Sequence, residues 1–206
     1  MTIRPLQKVD FPDVIQLYKN CFPKTLMAII GPQVIQKFLE WCLQKNHYFF
    51  VAYIKNQPVG FVSGYYYMKG EPFIHSTSEL ALFLRKDLIN SLLKQPWKVF
   101  HPTVVKKILK HVKHQNSNVV GENDIAVSSE LSILSIGVSP NFQRQGIAEK
   151  LTQFVTSFAL EKSITHLKLT VETNNKAGLN FYSKNGWSNL LITKDYIVKH
   201  KYLTNE

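Results

Sequence analysis

The stretch SPNFQRQGIAEKL, residues 139–151, decides the fold, because it joins a strand pattern to a helix pattern through a polar turn. Gly146 lets the backbone approach a ligand closely, Ala148 avoids a clash at the next exposed position, and Arg144 adds a positive charge. The first N–H groups of a helix lack internal partners and lie at the positive end of its dipole. The turn therefore predicts a cradle for a phosphate-bearing anion. The alternative interpretation is an ordinary strand-to-helix turn with a surface arginine.

Strand and helix patterns alternate on both sides of this turn. Residues 130–138 (ELSILSIGV) predict a strand before it, and residues 166–173 (HLKLTVET) predict another strand after the helix. The chain before position 68 predicts a strand, two helices and a hairpin. The whole order is β-α-α-β-β, an inserted helical region, then β-α-β-α-β-β. This order predicts an α/β protein with a mixed sheet and helices on both faces.

The length and composition are typical of a globular protein. With 206 residues, 45% of them hydrophobic, the chain is long enough for one well-buried domain, which we expect to span residues 1–206. No apolar run approaches the ~20 residues of a membrane span, and the N-terminus MTIRPLQKVD lacks the apolar segment of a secretory signal. Cys21 and Cys42 lie in helix-like apolar patterns. We expect both to be reduced core residues of a cytoplasmic protein.

The net charge of +11 predicts attraction to anions without naming one. A phosphorylated cofactor, a nucleotide-linked substrate, RNA and an acidic membrane all fit. The excess is concentrated between Lys94 and His114, which hold six lysines, three histidines and no carboxylate. A helix from Thr103 to Gln115 would carry lysines on one face, either as a solvated surface or as a platform for an anionic acceptor. No RNA-binding signature accompanies it.

Two motifs carry a family resemblance. QRQGIA, residues 143–148, is preceded by IGVSP and resembles the acetyl-CoA-binding motif (Q/R)-x-x-G-x-(G/A) of the GNAT superfamily of N-acetyltransferases. Downstream, VETNNKAGLNFYSKNGW resembles the family's V…N-x-x-A…x-Y-x-x-x-G-F segment, with glycine for the usual alanine at Gly178 and tryptophan for phenylalanine at Trp187. The resemblance is strong over residues 130–187 and rests on the element pattern before that.

The resemblance implies a fold. It is the GNAT-like α/β fold, a mixed, mostly antiparallel twisted sheet flanked by helices, with a helical insertion between the third and fourth strands. The insertion corresponds to residues 68–128, outside the common core of the family and on the substrate side. A single acyltransferase domain follows from this interpretation.

The resemblance also implies how acetyl-CoA is held. The strand ending at Val138 splays from its neighbour, and the backbone of Ile136 and Val138 pairs with the pantetheine arm. The backbone N–H groups of residues 144–148 hold the pyrophosphate, with the Arg144 side chain near a phosphate. Asn175 contacts the pantetheine arm, caps the next helix, or does both. The residues assigned to the cofactor are Ile136, Val138, Gln143, Arg144, Gln145, Gly146, Ile147, Ala148 and Asn175.

The implied reaction is direct attack of a primary amine on the acetyl group through a tetrahedral intermediate. The Val138 N–H stabilises the oxyanion, and Tyr182, near the sulfur, protonates the leaving thiolate. Deprotonating a lysine-like amine of pKa about 10.4 at neutral pH costs about 4.6 kcal/mol, so a base would help. Glu130, which begins the central strand, is the best-placed carboxylate. The alternatives are a merely exposed strand-end glutamate and a tyrosine hydroxyl that only caps a buried aromatic.

The acceptor is left open by these motifs. The segment CFPKTLMAIIGPQVIQKFL and the insertion are similar to GNAT members of bacterial surface-polysaccharide synthesis, which favours an amino sugar over a protein amine. Polyamines are disfavoured by the positive charge. His75 follows the hairpin that borders the acceptor site and is a candidate substrate contact. In that hairpin, Tyr65 and Tyr67 share one face of the strand and Tyr66 takes the other.

Other functions and partners remain as alternatives. His111 and His114 lack a third ligand of suitable spacing, so we expect no metal. The chain could be a non-catalytic acetyl-CoA sensor, or a basic RNA- or ribosome-associated protein with the same fold. No oligomeric state is fixed, and a dimer is one option.

Overall fold

The structure is a computed structural model that describes residues 1–71, 76–102, 104–105 and 128–203. In this part of the chain seven strands form one sheet with helices on both faces. The strands are β1 (Thr2–Pro5), β2 (His47–Ile54), β3 (Gln57–Tyr67), β4 (Glu130–Val138), β5 (His166–Glu172), β6 (Ser188–Ile192) and β7 (Tyr196–Tyr202). The α-helices are α1 (Phe11–Cys21), α2 (Leu26–Ile30), α3 (Pro32–Cys42), α4 (Ser76–Lys94), α5 (Ile147–Glu161) and α6 (Lys176–Lys184). Short 3-10 turns cover Lys8–Asp10, Pro96–Phe100 and Pro140–Phe142.

The strand order is β1-β2-β3-β4-β5-β7-β6. Strands β4 and β5 run parallel, and the other neighbouring pairs are antiparallel. The parallel pair requires a crossover, which α5 supplies between the two strands. The mixed, mostly antiparallel sheet predicted from the family resemblance is therefore confirmed.

One face of the sheet packs against α5 and α6. The apolar residues of α5 recur at helical spacing, as the sequence predicts, and Leu151 and Val155 have no exposed surface. Alternate residues of β4 and β5, such as Leu131 and Leu167, meet them from the sheet. This first core orients α5, so that its N-terminus lies at the end of β4.

The opposite face packs against α1, α3 and α4. Phe38 and Trp41 of α3 and Phe61 of β3 have no exposed surface, and Phe38 and Phe61 both contact Tyr18 of α1. Helix α4 adds Leu84 to this second core. The described part of the insertion is thus helical between β3 and β4 and belongs to the body of the protein.

The insertion also has a polar contact with the helical layer. The Lys98 ammonium donates a hydrogen bond of 2.6 Å to the Ile30 carbonyl at the end of α2. Most of the predicted basic helix from Thr103 to Gln115 lies outside the described residues, although Val104 is described and buried. His75, His111 and His114 lie outside the described residues as well.

Three further sequence expectations can be compared with the structure. No helix among the described residues has the length and apolarity needed to cross a membrane. Both cysteines are free thiols, with Cys42 buried and Cys21 partly buried. Tyr65 and Tyr67 share one face with ring centroids 5.4 Å apart, while Tyr66 faces Phe158 of α5, which confirms the predicted alternation.

Candidate functional site

A gap opens between β4 and β5 halfway along their length. The two strands pair only from Glu130 opposite His166 to Ile133 opposite Leu169. Beyond that point β4 continues to Val138 and β5 to Glu172 without pairing to each other. The splay that the family resemblance implies is therefore present.

A bulge in β4 lies at the start of this gap. Ser63 of β3 pairs with Ser135, but the next residue, Gly64, pairs with Ile133, so Leu134 is the extra residue. A Cβ atom on Gly64 would clash with the Ser132 carbonyl and lie 2.5 Å from the Tyr48 hydroxyl. Glycine is required here because β3 and β4 approach closely beside the bulge.

The backbone of β4 beyond the bulge points polar groups into the gap. Ser139 donates its N–H to the Val59 carbonyl at 2.8 Å, so these two residues form a hydrogen-bonded pair of the antiparallel ladder. Since such pairs alternate with non-hydrogen-bonded ones, Val138 and Ile136 direct their N–H and C=O groups away from β3. Both residues that the sequence assigns to the pantetheine arm therefore face the gap with their backbone.

The turn from Ser139 to Gly146 closes the upper end of the gap. The Gln143 side chain donates a 3.2 Å hydrogen bond to the Val138 carbonyl. Arg144 and Gly146 have φ angles of 60° and 75°, both in the left-handed region that favours glycine. The turn is therefore tight, and it ends directly at the first turn of α5.

The backbone N–H groups of residues 144–148 form a donor set without acceptors among the described residues. Gln143, Arg144, Gln145 and Gly146 are exposed, and Ala148 is partly exposed. A Cβ atom on Gly146 would meet no protein atom within 4 Å. The space in front of these groups is open, and donors at a helix N-terminus suit a diphosphate. Ile147 contributes only its N–H, because its side chain is buried in the first core.

Asn175 begins α6 as its N-cap. Its side-chain oxygen accepts a 2.9 Å hydrogen bond from the Gly178 N–H, which confirms the helix-cap interpretation. A Cβ atom on Gly178 would lie 2.7 Å from the Asn175 amide nitrogen, so alanine here would require the Asn175 side chain to shift. No hydrogen bond of the amide N–H₂ of this exposed residue occurs among the described residues, which leaves that group available for a second role.

Tyr182 lies in α6 on the first-core side of the sheet. Its ring packs against Trp187 and Phe181 at centroid distances of 5.6 and 5.1 Å, and only 6% of the residue is exposed. Burial raises the pKa of the Tyr182 hydroxyl well above its usual value, so the group stays protonated. No hydrogen bond to this hydroxyl occurs among the described residues, which leaves it as a neutral donor.

Two lysines of β7 hold the other end of α6. The Lys201 ammonium donates to the Asn185 carbonyl at 3.0 Å, and the buried Lys199 donates to Ser183 at 3.0 Å and to Asn189 at 2.8 Å. Positive charges at a helix C-terminus interact favourably with its dipole. Helix α6, and with it Tyr182, is therefore fixed at both ends.

Glu130 begins β4 on the opposite face of the sheet from Tyr182. Its side chain is only 16% exposed, so the interpretation as a merely exposed strand-end glutamate is wrong. One carboxylate oxygen lies 3.3 Å from the His166 Nδ1 and the other lies 3.7 Å from the Lys168 Nζ. The Ser132 hydroxyl donates to that second oxygen at 3.3 Å. Because Glu130 and Tyr182 lie on opposite faces of the sheet, both can act on one bound substrate only if that substrate lies in the gap between β4 and β5.

Sequence reasoning missed the neighbours of Glu130. His166 and Lys168 fall on one face of β5 by strand alternation, and this signal is present in HLKLTVET. Their pairing with β4 depends on the register of a parallel pair, which the local pattern does not determine. The Ser63 and Ser135 hydroxyls, 2.6 Å apart at the bulge, were missed for the same reason. Among the described residues, no group of three potential metal ligands is found.

Comparison with known proteins gives a family for part of the chain. Residues 107–187 match the sequence model of the acetyltransferase (GNAT) family. No curated protein matches the chain closely enough to count as a relative.

Solved structures resemble the protein over nearly its whole length. Aminoglycoside 6'-acetyltransferase type Ii has a TM-score of 0.61 at 10% identity, covering 100% of this chain and 99% of that one. Ribosomal-protein-S18-alanine N-acetyltransferase from Escherichia coli has a TM-score of 0.58 at 12% identity, covering 100% and 95%. PaiA N-acetyltransferase from Thermoplasma acidophilum, in complex with coenzyme A, has a TM-score of 0.55 at 14% identity, covering 98% of each chain. The chain thus has the fold of these GNAT N-acetyltransferases, and its residues 107–187 match the sequence model of the acetyltransferase (GNAT) family.

Proposed function

We propose that this protein is an N-acetyltransferase that transfers the acetyl group of acetyl-CoA to a primary amine. One observation carries the proposal: backbone N–H and C=O groups of Ile136 and Val138 face a gap that ends at a turn whose N–H donors have no acceptor within the described part of the chain. An extended arm with a diphosphate at one end matches this arrangement in both shape and charge. The whole chain would act as one catalytic unit.

Acetyl-CoA, when bound, supplies a thioester whose carbonyl carbon accepts the amine. The N–H groups of residues 144–148 would bind the diphosphate, and Arg144 would add a positive charge beside it. Ile136 and Val138 would bind the pantetheine arm as an additional strand. Gln143 would act indirectly, because its contact with the Val138 carbonyl holds the strand end in place.

The proton transfers are assigned to one residue on each face of the sheet. Glu130 would accept the proton of the attacking amine, and Tyr182 would donate a proton to the departing sulfur. The Val138 N–H would stabilise negative charge on the carbonyl oxygen. Glu130 lies three residues, about 10 Å, from Ile133, the last residue of β4 that pairs with β5. The proton of the amine would therefore reach the carboxylate through the Ser132 hydroxyl or through water.

We propose an amino sugar as the first acceptor class to test and a protein amine as the second. The names of the similar structures include both an aminoglycoside acetyltransferase and a ribosomal-protein alanine acetyltransferase, so the fold accommodates either class. The support for an amino sugar remains the similarity of residues 21–39 and the insertion to members of polysaccharide synthesis. Glucosamine and a peptide with a free amino terminus are suitable first probes.

The first test measures acetyl-CoA binding by calorimetry in wild type, Gly146→Trp and Gly70→Trp. Both glycines are exposed, have φ angles of 75° and 86°, and would place a Cβ atom with no other atom within 4 Å. The two substitutions should therefore cost similar folding stability, about 1–2 kcal/mol, for a side chain at positive φ. We expect Gly146→Trp to weaken binding at least about tenfold, because the indole occupies the diphosphate position, and Gly70→Trp to bind like wild type.

The outcomes separate the candidate functions. Equal affinity in all three proteins would remove the turn as the cofactor site. Binding without release of the coenzyme A thiol in the presence of any tested amine would favour a non-catalytic sensor. Release of thiol with either probe amine supports transfer and identifies the acceptor class.

A further inference from the structure

Six polar or aromatic side chains form one cluster on the sheet face opposite α5 and α6. The register places β4, β5 and β7 side by side, so that Glu130, His166 and Tyr202 form one row and Ser132, Lys168 and His200 form the next. All six alternate with residues of the first core and therefore face away from it. Only Glu130 and Ser132 have a place in the proposed reaction, which leaves the role of the others unexplained.

His166 is held in this cluster by its two ring neighbours. Its ring stacks on Tyr202 with centroids 4.6 Å apart and an interplanar angle of 15°, and it meets the edge of His200 at 5.6 Å. Its Nδ1 lies 3.3 Å from a Glu130 oxygen, while its Nε2 is buried without a hydrogen-bond partner among the described residues. The two nitrogens therefore have very different surroundings.

These surroundings favour one protonation state of His166. A proton on Nδ1 would lie beside a carboxylate oxygen 3.3 Å from the nitrogen, whereas a proton on Nε2 would be a buried donor without an acceptor among the described residues. Burial lowers the pKa of His166, and His200 and Lys168 lower it further, while Glu130 acts in the opposite direction. The imidazole is consequently neutral at neutral pH, with its single proton on Nδ1.

We propose that His166 is a positioning residue for Glu130, whose carboxylate it fixes by donating the Nδ1 proton to one oxygen. This inference rests on the proposed function, in which Glu130 is the base. The second carboxylate oxygen then accepts the hydrogen bond of the Ser132 hydroxyl, which lies two residues along β4 in the direction of the gap. Lys168 also contacts that second oxygen, but its side chain is 36% exposed and less constrained. His166 thus selects which oxygen receives the proton of the amine.

The test compares four variants: His166→Phe, His166→Asn, Glu130→Gln and the double variant Glu130→Gln/His166→Phe. Phenylalanine keeps the stacking on Tyr202 and removes the donor, whereas asparagine restores a donor near the Nδ1 position. The control is His47→Phe, at a partly buried histidine whose ring lies 3.9 Å from that of Trp41 and which has no carboxylate among its described contacts. Thiol release with glucosamine and with a free-amine peptide gives kcat and the KM for acetyl-CoA.

We expect His166→Phe to lower kcat about tenfold with an unchanged KM for acetyl-CoA, and His166→Asn to stay within about threefold of wild type. In the Glu130→Gln background His166→Phe should cause no further loss, because the residue acts only through that carboxylate.

A second readout does not depend on turnover. Nuclear magnetic resonance of the full chain with isotope-labelled histidine reports the tautomer from the imidazole nitrogen shifts. The His166 signal should show the Nδ1-protonated ring at neutral pH and should change in Glu130→Gln. A ring protonated on Nε2 would overturn the inference, whether or not either probe amine is acetylated.

The kinetic outcomes distinguish this inference from the proposed function. Wild-type turnover in Glu130→Gln would remove Glu130 as the base and the positioning role with it, while transfer itself would stand. A slow Glu130→Gln together with an unimpaired His166→Phe would overturn the positioning role alone. Additive losses in the double variant, or an equal loss in His47→Phe, would show a general structural effect instead.

Discussion

At the scale of single residues, the neutral hydroxyl of Tyr182 and the ionisable carboxylate of Glu130 have contrasting environments. Tyr182 is enclosed by aromatic rings and has a raised pKa, whereas Glu130 lies beside the His166 imidazole, the Lys168 ammonium and the Ser132 hydroxyl. The apolar surrounding keeps the Tyr182 hydroxyl protonated, and the polar neighbours of Glu130 contact both of its carboxylate oxygens. The two residues are thereby suited to opposite directions of proton transfer.

Replacing Tyr182 by phenylalanine should separate chemistry from binding. We expect kcat to fall about 100-fold with the KM for acetyl-CoA within about twofold, because only the hydroxyl is removed and the packing against Trp187 is kept. Steady-state thiol release gives both constants, and Tyr196→Phe, on the exposed part of β7, is the matched control. Wild-type turnover in Tyr182→Phe would remove the acid role. Since the pKa of Tyr182 is raised, its deprotonation should not limit turnover near pH 10, its ordinary range.

At the scale of elements, α6 connects the gap between β4 and β5, where we propose that acetyl-CoA binds, to the first core. Its first turn depends on Asn175, and its last turn depends on Lys199 and Lys201. The same helix carries Tyr182, so a change at either end alters the position of the hydroxyl. The stability of this helix is therefore coupled to the proposed chemistry.

The two roles of Asn175 can be separated by two substitutions. Asn175→Ala removes the cap and the amide and should cost about 1 kcal/mol of unfolding free energy. Asn175→Asp keeps an oxygen for the Gly178 N–H, so its stability should equal that of wild type, but it lacks the amide donor. We expect both variants to bind acetyl-CoA more weakly, measured by calorimetry beside urea unfolding. If Asn175→Asp binds acetyl-CoA like wild type, the residue is a helix cap and no more.

At the scale of the whole molecule, the N-terminal strand is attached to the helical layer by one ion pair. Arg4 of β1 donates two hydrogen bonds of 2.7 and 2.8 Å to Asp10, whose carboxylate also accepts the Gln7 N–H at 2.8 Å. The Arg4 side chain further lies over the Tyr53 ring at 4.4 Å. Asp10 therefore fixes the turn before α1 and does not use its side chain to cap that helix.

This ion pair should make stability dependent on pH. The hydrogen bond from Arg4 lowers the pKa of Asp10, so its contribution is complete above the unfolded pKa of about 3.9 and is lost as pH falls through the lower folded value. We expect Asp10→Asn to lose about 2 kcal/mol of unfolding free energy near pH 7 and clearly less near pH 3. Urea unfolding at the two pH values measures this. An equal loss at both, or a similar loss in the exposed Asp13→Asn, would contradict the assignment.

The order of elements and the turn at Gly146 followed from local patterns, because helix periodicity and strand alternation are encoded within short segments. The gap between β4 and β5 was implied only by the family resemblance. The short helix α2 was not predicted, since its five residues are too few to establish a period. The cluster around Glu130 was not predicted either, because it depends on the register between β4, β5 and β7. Register is determined by packing across the whole sheet.

The extra residue at Leu134 has a wider consequence for how β4 tolerates change. Before Leu134, the odd-numbered residues Leu131 and Ile133 face α5. After it, the even-numbered residues Ile136 and Val138 face the same side of the sheet. The strand therefore joins two phases of alternation at a single position. Loss of one residue there would reverse the inside and outside of the entire following segment, while substitutions would not. Length, more than identity, is the property of this strand on which selection should act most strictly.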